Sequence, residues 1–277
     1  RKSPGRPRKT TEEEDRKIIN ISKKHPFSSA PEIRGRLKLA VTPRTVQRRL
    51  VSAGLLARVP RKVPNLTPAH KNARVLFAIE HMFSDEEDWR RVLWSDESKF
   101  NRQGSDGRRL VRRPVNCALD PKYSFKTFKH GGGSLMVWGC FSYYGMGPLV
   151  RIHGNLNRFG YRDILDTHLL SHARKNLPRS WMFMQDNDSK HTSGTVQTWL
   201  ADNNVKTMKW PALSPDLNPI ENLWAIFKKR LGKNIPEDLD HLFDHMQEVW
   251  SKIPPKTIQN LVMSMRQRMI NVIVGDG

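Results

Sequence analysis

The sequence predicts a mixed α/β protein in which a small, basic, all-helical unit precedes an α/β domain of about 200 residues. Residues 11–57 contain three closely spaced helix-start signals. From residue 91 onward, short apolar runs typical of strands occur between longer segments with helical periodicity. The 277 residues suffice for a sizeable core, and length alone allows either one large domain or a small domain joined to a medium one.

The positive charge is spread unevenly along the chain. Residues 1–75 contain 20 Lys or Arg against 5 Asp or Glu, which is +15 of the net +21. Clustered Lys and Arg release counterions from a phosphate backbone on binding, so nucleic acid is the expected partner. The alternative is a basic membrane-surface protein. However, the longest strongly apolar run, residues 135–141, is far shorter than the roughly 20 residues of a spanning helix. No signal peptide is evident, and no membrane partner is expected.

Cysteine and histidine give little support to a disulfide or a zinc site. Cys117 and Cys140 are the only cysteines, which excludes a disulfide framework and a cysteine-based zinc site and fits a reducing intracellular location. Two pairs of histidines lie four residues apart on predicted helices without the other ligands of a zinc motif, namely His168 with His172 and His241 with His245.

Residues 1–10 are too rich in proline and charge to fold alone. Within them, Arg6, Pro7 and Arg8 follow a glycine, a pattern that resembles an AT-hook. In that element an extended, proline-stiffened segment places two arginines in a narrow minor groove. The same composition is typical of a solvated linker, and the surrounding basic residues favour the DNA interpretation.

Three short helices are predicted within residues 11–57. Their start signals are the capping boxes Thr11 with Glu14 and Ser29 with Glu32, and the cap Thr42 before Pro43. The third helix ends at Gly54 and carries Val46, Leu50 and Val51 on one side. Its other positions include Arg44, Gln47, Arg48 and Arg49. A basic last helix favours a helix-turn-helix that presents these side chains to DNA bases, with a merely solvated basic bundle as the alternative.

The remaining elements follow a proline-rich, basic linker at residues 58–70. A helix is predicted from Thr67 and Pro68 through Met82, and the α/β domain is assigned to residues 71–277. Strands are predicted at 91–100, 135–144 and 181–185, and helices at about 161–175, 192–203, 219–231 and 237–252. Residues 104–133, which are rich in glycine and basic residues, are interpreted as a hairpin or loop insertion.

Two aspartates occupy unusual places in predicted strands. Asp96 lies inside the first strand pattern, and Asp186 lies at the end of the third. Burying a carboxylate costs free energy unless it is paired or binds a metal. Each aspartate therefore requires a partner. Asp188 and Glu97 are both expected at the surface or beside the site, and Glu97 is expected to face away from Asp96 because side chains alternate along a strand.

Glu221 has two interpretations. Asn218 is a plausible N-cap, Pro219 suits the first helical turn, and Glu221 would then complete a capping box. Asp216 is interpreted as a turn residue. However, two strand aspartates and a helix glutamate are also the oxygen ligands that hard divalent cations prefer. Two such ions can activate an attacking oxygen and stabilise a leaving one.

Long motifs surround the three carboxylates. They are WSDESKF at 94–100, KHGGGS at 129–134, MVWGCF at 136–141, QDND at 185–188, KHTS at 190–193 and SPDLNPIENLW at 214–224. Together they resemble the mariner superfamily of transposases, close to its Sleeping Beauty branch. The 34 residues at 187–220 match the interval that this branch keeps between its second and third carboxylates. The resemblance covers nearly the whole chain.

The resemblance implies a ribonuclease-H-like catalytic domain with Asp96, Asp186 and Glu221 as ligands of two Mg²⁺ ions, for which Mn²⁺ can substitute. It implies a nuclear enzyme that cuts double-stranded DNA at transposon terminal inverted repeats and joins the freed 3′ end to a TA target. Residues 108–133 match a clamp loop that reaches across a homodimer. Lys190 and His191 match neighbours of the active site.

Three features depart from the family pattern. The family has two helix-turn-helix units flanking the hook, and only the second is expected here, because the chain starts at Arg1 rather than Met and is expected to be a fragment. Ser189 replaces the usual proline, and the chain stops at Gly277. Two alternatives stay open: a DNA-binding protein derived from a transposase without catalysis, and a ribonuclease-H-like nuclease without strand transfer. The intact trio argues against the first, and the DNA-binding features argue against the second.

Overall fold

The computed structural model describes residues 8–58, 64–102, 133–232 and 236–277. It divides into two compact units, residues 1–63 and residues 64–277. Arg6 and Pro7 of the predicted hook lie outside the described residues, as does the predicted clamp loop except for Gly133.

The first unit contains three helices, α1 (Glu12–Lys24), α2 (Ala30–Arg36) and α3 (Pro43–Ser52). Both predicted capping boxes are confirmed. Ile18, Ile33 and Val46, one from each helix, are fully buried and form the centre of the core. The starts of α1 and α2 could be predicted because each is encoded by two residues three apart in the sequence.

Two details of α3 differ from the prediction. Thr42 is the N-cap residue, but its hydroxyl bonds to the Thr45 hydroxyl at 3.2 Å and not to a backbone N–H. Val51 is 54% exposed, so the buried side of the helix is narrower than predicted. Val46 is the buried residue of α3, and Leu50 packs against the same core while partly buried.

The second unit is built on a four-stranded sheet with the order β3-β2-β1-β4. Its strands are β1 (Val92–Asn101), β2 (Ser134–Ser142), β3 (Gly145–Ile152) and β4 (Met182–Met184). The first three pair antiparallel, whereas β4 pairs parallel to β1. Beyond β4, Phe183 forms a parallel bridge with Thr207. Strands β1, β2 and β4 were predicted, and β3 was not.

Helices cover both faces of this mixed sheet. They are α4 (Pro68–His81), α5 (Glu86–Arg90), α6 (Arg158–Ile164), α7 (Leu170–Asn176), α8 (Gly194–Asp202), α9 (Pro219–Leu231), α10 (Leu239–Ser251), α11 (Pro255–Met263) and α12 (Met265–Val274). A π-helical turn, Leu165–Leu169, joins α6 to α7. The predicted α/β class is confirmed. In the described part of the chain, no helix is long and apolar enough to cross a membrane.

The two faces of the sheet have separate hydrophobic clusters. Val92 and Trp94 face the larger cluster with α4 and α9–α12, whereas Leu93 faces the smaller one with α6–α8. The tryptophans were predicted to belong to the core, and seven of the eight are buried: Trp89, Trp94, Trp138, Trp199, Trp210, Trp224 and Trp250. The alternation continues past Trp94, so that Asp96 lies on the face covered by α9.

Candidate active site

Strand pairing places Asp96 within β1 close to the end of β4, after which Asp186 follows. Trp94 of β1 is directly opposite Met184 of β4 in a parallel register. Asp96 and Asp186 each follow that pair by two residues. The Ser95 hydroxyl donates to the Met184 carbonyl at 3.0 Å and fixes the two strands at this point.

Glu221 is brought to this part of the sheet by the start of α9. Asn218 caps the helix by accepting from the N–H of Ile220 at 3.2 Å, and its amide donates to the Ser95 carbonyl at 3.3 Å. One residue therefore starts the helix and ties it to the strand position beside Asp96. The helix then places Glu221 at its third residue.

The predicted capping box at α9 is wrong. The backbone N–H of Asn218, which Glu221 would have to accept, donates instead to the Pro215 carbonyl at 3.1 Å. The side-chain oxygen of Asn218 accepts from the N–H of Ile220, whereas the N–H of Glu221 donates to the Asn218 backbone carbonyl at 3.3 Å. The carboxylate of Glu221 thus has no capping function and is available for chemistry.

The three carboxylates influence one another electrostatically. Burial raises the pKa of Asp96 to about 8, and the negative charges of Glu221 and Glu97 contribute to this shift. Partial burial also raises the pKa of the solvent-accessible Glu221, with Lys228 opposing the shift and Asp186 adding to it. The negative charges of these partly desolvated carboxylates repel each other, and a divalent cation would relieve this repulsion.

The side chains of the site are suitable metal ligands by their chemistry, but they are not arranged as a complete metal-binding cluster. Across residues 8–58, 64–102, 133–232 and 236–277, no three His, Cys, Asp or Glu side chains converge closely enough to form one. The donor set itself, three carboxylates, is the type that Mg²⁺ and Mn²⁺ bind together with substrate oxygens. A divalent cation thus fits the chemistry of these residues.

Asp186 is held in place by His191. Its Oδ1 accepts from the Asp188 N–H at 3.0 Å and lies 2.7 Å from Nδ1 of His191. The other ring nitrogen of His191 lies 3.1 Å from Oε1 of Glu97. A ring between two carboxylates must donate from both nitrogens, so His191 is an imidazolium.

The pKa values agree with this assignment. Burial acts to lower the pKa of His191, which is 3% exposed, but the hydrogen bonds to Asp186 and Glu97 raise it to about 9. Burial likewise acts to raise the pKa of Asp186, yet the hydrogen bonds from His191 and the Asp188 N–H lower it below its ordinary value. Asp186 is therefore ionised and oriented before any ligand arrives.

Lys190 completes this network on the far side of β1. Its Nζ lies 2.7 Å from Asp188 and 3.7 Å from Glu97. Tyr161 packs its ring 4.0 Å from that of His191 and donates to Gln185 at 2.8 Å. Lys190 and His191 consequently act through Asp188, Glu97 and Asp186, while Glu97 points away from Asp96, as strand alternation predicts.

The raised pKa of Asp96 predicts how the stability of the metal-free protein depends on pH. A carboxyl whose pKa rises from 3.8 to about 8 on folding contributes stability that is complete below 3.8 and is lost as the pH rises through 8. We therefore expect the contribution of Asp96 to the metal-free Tm to be lost between about pH 4 and pH 8. His191 acts in the same direction, because its raised pKa gives stability that is lost as the pH rises through about 9.

Mg²⁺ should reverse this loss, because metal binding requires the carboxylate form. Thermal unfolding with and without Mg²⁺ should show a larger stabilisation at about pH 8.5 than at about pH 6.5. Asp96→Asn serves as the control, since it removes the titrating carboxyl and leaves His191 in place. An equal Mg²⁺ effect at both pH values in the original protein would contradict the assignment.

The predicted DNA-contact residues of the first unit divide into two groups. Arg44, Gln47 and Arg48 are exposed on α3. Arg49 donates to the Thr10 hydroxyl at 2.8 Å and pairs with Asp15 at 3.3 Å. Arg49 thereby ties α3 to the start of α1, which gives it a structural role. Arg8 also pairs with Asp15, at 3.6 Å, but is 70% exposed.

Sequence patterns missed several residues of the site. Trp224 donates from Nε1 to Oδ2 of Asp96 at 3.1 Å, and Asn218 joins α9 to β1. Glu97 was expected at the surface or beside the site, and its contact with His191 was the part that sequence patterns missed. Trp224 follows Glu221 by three residues on a helix, and that spacing is the one signal that could have indicated a shared face.

Two family models match the chain. Residues 91–242 match a family described as DDE superfamily endonuclease, and residues 15–83 match a family described as Transposase. The first match includes all three carboxylates, and the second includes the three helices of the first unit from the first turn of α1 onward.

Curated relatives align with nearly the full chain. The chain is 43% identical over 267 residues to the transposable element Tcb2 transposase of Caenorhabditis briggsae, covering 95% of this chain and 98% of the relative. It is 42% identical to the transposable element Tc1 transposase of Caenorhabditis elegans with the same coverage.

Solved structures share the fold at low sequence identity. A Mos1 transposase paired-end complex with the left transposon end aligns with a TM-score of 0.80 at 17% identity, covering 100% of this chain and 82% of that chain. Mos1 paired-end complexes with Mn and with Mg align with TM-scores of 0.78 and 0.76 at 18% and 19% identity, each again covering 100% of this chain and 82% of that chain.

Proposed function

The chain belongs to the Tc1/mariner family of DDE transposases, and we propose that it cleaves and joins DNA strands with two divalent ions held by Asp96, Asp186 and Glu221. Membership of this family implies DNA binding and cut-and-paste transposition. The ribonuclease-H-like domain supplies the chemistry, and the helix-turn-helix unit supplies DNA recognition. The proposal concerns the metal mechanism, the target and the residues.

The single observation that supports the mechanism is the placement of three carboxylates on neighbouring elements, namely strand β1, the segment just after β4 and the start of α9. Parallel pairing places Asp96 close to the end of β4, after which Asp186 follows, and the Asn218 contact brings the start of α9 to β1. When bound, two Mg²⁺ ions would activate the attacking oxygen and stabilise the leaving oxygen of a phosphodiester. Mn²⁺ is expected to substitute because it prefers the same oxygen ligands.

The chain's own residues set the geometry for this reaction. The imidazolium of His191 donates a hydrogen bond to Oδ1 of Asp186 and so fixes the rotation of the carboxylate. The direction in which Oδ2 points is fixed by the same hydrogen bond. Asn218 fixes the distance between α9 and β1. Such outer contacts are what make carboxylate ligands rigid enough for phosphoryl chemistry.

We propose two successive reactions at this site. Water attacks a phosphodiester at the transposon end and releases a 3′-hydroxyl. That hydroxyl then attacks a phosphodiester at a TA target, so that one bond forms as another breaks. Both reactions displace an oxygen from phosphorus. The same set of carboxylates can therefore support them one after the other, without a covalent protein intermediate.

We further propose that the terminal inverted repeats are bound by the first unit and that two copies of the chain pair two transposon ends in the nucleus. The family match at residues 15–83 and the exposed side chains of α3 support DNA contact. The fold similarity to Mos1 paired-end complexes supports pairing of ends.

DNA binding by the first unit should depend strongly on salt. Each phosphate contact contributes about 0.9 to the slope of log K against log salt, because a counterion is released. Arg48→Ala should make this slope shallower by about 1, since Arg48 is exposed on α3. Fluorescence anisotropy with labelled end DNA between about 50 and 200 mM salt measures both values.

Arg49→Ala is the matched control for Arg48→Ala. Its guanidinium is paired with Asp15 and Thr10, so its loss should lower the stability of the first unit and leave the salt slope of the folded protein nearly unchanged. A flat dependence of log K on log salt for the original chain would contradict the role of the basic region.

The metal requirement is tested by cleavage of end DNA. The protein is incubated with a duplex carrying its terminal inverted repeat, with Mg²⁺, with Mn²⁺ or with a chelator. Cleavage that leaves 3′-hydroxyl ends with either metal and stops with the chelator is the expected result. Cleavage that continues at full rate in the chelator would overturn the mechanism.

A further inference from the structure

We propose that Trp224 is a positioning residue for the DNA reaction: its indole N–H fixes the carboxylate of Asp96, so that α9 provides both a metal ligand and the residue that orients a second ligand. This inference rests on the proposed function of Asp96 as a metal ligand. It goes beyond that function because it gives a buried aromatic side chain a defined part in the site.

The hydrogen bond between Trp224 and Asp96 is direct and almost enclosed. Nε1 of Trp224 donates to Oδ2 of Asp96 at 3.1 Å, and Trp224 is 2% exposed. Glu221 and Trp224 are three residues apart in α9 and therefore lie on one face of the helix. Movement of α9 would displace both contacts together.

The indole ring has little freedom to turn. It stacks on Trp250 with ring centres 5.0 Å apart and meets Phe100 edge-on at 5.9 Å. Trp250 is itself anchored by donating to the Gly147 carbonyl at 2.8 Å. These contacts aim the N–H of Trp224 at Asp96 independently of the hydrogen bond itself.

Gly139 leaves the space that this arrangement requires. It lies directly opposite Asp96 in the pairing of β1 with β2. A Cβ atom at this position would lie 2.7 Å from Cη2 of Trp224 and 3.2 Å from the ring of Trp250. The strand position facing Asp96 is therefore kept free of a side chain, and the indole occupies that space.

An indole suits this task because it donates without carrying charge. A lysine or arginine at the same place would neutralise Asp96 and compete with a divalent cation. The indole N–H cannot accept a proton and cannot itself be a metal ligand. It can thus orient the carboxylate while leaving its negative charge for the metal.

The contact is selective within this core. Among the described residues, the Nε1 atoms of Trp89, Trp94 and Trp138 are buried without a hydrogen-bond partner. The core therefore tolerates unsatisfied indole N–H groups, and packing alone does not require Trp224 to find an acceptor. Trp89 belongs to the same hydrophobic cluster as Trp224 and offers a matched control.

The test compares Trp224→Phe with Trp89→Phe in the complete chain. Both changes shorten a buried indole to a benzyl ring, but only the first removes the donor to Asp96. We expect Trp224→Phe to raise the half-saturating Mg²⁺ concentration for cleavage about 10- to 100-fold, the usual effect of removing an outer contact to a metal ligand. Trp89→Phe should change it less than about twofold, and end-DNA binding should be unchanged in both.

A second measurement uses the folded protein without relying on activity. The indole N–H resonances of the ¹⁵N-labelled chain are followed during titration with Mg²⁺ alone. One resonance should shift strongly, disappear from the spectrum of Trp224→Phe and fail to shift in Asp96→Asn. The other tryptophans act as internal references.

The outcomes separate this inference from the function on which it rests. If the unmodified protein shows neither Mg²⁺-dependent cleavage nor an effect of Mg²⁺ on its stability, the proposed metal mechanism fails. If it shows both, but Trp224→Phe and Trp89→Phe have the same Mg²⁺ requirement or no indole resonance responds to Mg²⁺, the positioning role of Trp224 is overturned.

Discussion

Glu221→Gln is expected to abolish Mg²⁺-dependent cleavage of transposon-end DNA, with a loss of rate of at least about a thousandfold. A metal-held transition state is stabilised by several kcal/mol, and a neutral amide cannot replace a carboxylate in that role. Asp96→Ala and Asp186→Ala should have equally large effects. DNA binding should stay largely intact, because the basic helix α3 lies in the first unit. Single-turnover cleavage and anisotropy measure the two properties separately.

The structure makes Glu221→Gln an unusually clean variant. Glu221 takes no part in capping α9, since Asn218 accepts from Ile220 and donates its own N–H to Pro215. The change should therefore leave Tm within about a degree of the original in the absence of metal. Glu80→Gln, an exposed position on α4, is the matched control. Undiminished cleavage by Glu221→Gln would remove this residue from the site.

Asp216→Ala is expected to destabilise the second unit by about 2–4 kcal/mol. Arg74 of α4 is 4% exposed and donates to both carboxylate oxygens of Asp216, at 2.7 and 2.6 Å. Removing one partner of a buried pair leaves an uncompensated charge, which costs about 3–5 kcal/mol, and the 58% exposure of the Asp216 side chain reduces this figure. Asp216 lies in a turn, as predicted, and the structure adds that its carboxylate is the partner of Arg74.

The effect of Asp216→Ala should be visible in tryptophan fluorescence during urea unfolding. All eight tryptophans lie in residues 64–277, so the signal reports the second unit alone. The control is Asp240→Ala, whose partner Arg151 is more exposed than Arg74. A surface pair of this kind contributes at most about 1 kcal/mol. Equal stability losses in the two variants would show that Arg74 does not depend on Asp216.

The Arg74–Asp216 pair also matters for the active site. Asp216 belongs to the loop that leads to Asn218 and Glu221, and Arg268 of α12 donates to both the Asp216 carbonyl and the Asn222 side chain, the latter at 2.7 Å. The loop is thereby held from two helices. Loss of stability and loss of cleavage should appear together in Asp216→Ala, in contrast to Glu221→Gln.

Local signals predicted much of the architecture. The starts of α1, α2 and α4 depend on residues within one turn, and α9 has the predicted bounds. Strand β3 was missed because Gly147 and Pro148 interrupt its apolar pattern. Helices α11 and α12 were also missed, although each has an apolar stripe that packs on the larger cluster.

The site could be predicted from the sequence only in part. Asp96 and Asp186 were chosen as strand aspartates, but their proximity depends on the parallel register of β1 and β4, which no local pattern encodes. Glu221 had a local explanation that only the observed contacts of Asn218 exclude. Trp224 and Glu97 contact Asp96 and His191, which are more than 90 positions away in the sequence. These contacts can be seen only in the folded chain.

The most direct test of the central claim is a strand-transfer reaction. The protein is incubated with a pre-cut transposon end carrying a free 3′-hydroxyl, a supercoiled target that contains TA sites, and Mg²⁺. We predict joined products at TA, none with a chelator and none with Glu221→Gln. Hydrolysis of the DNA without any joined product would contradict the account and indicate a nuclease that lacks strand transfer.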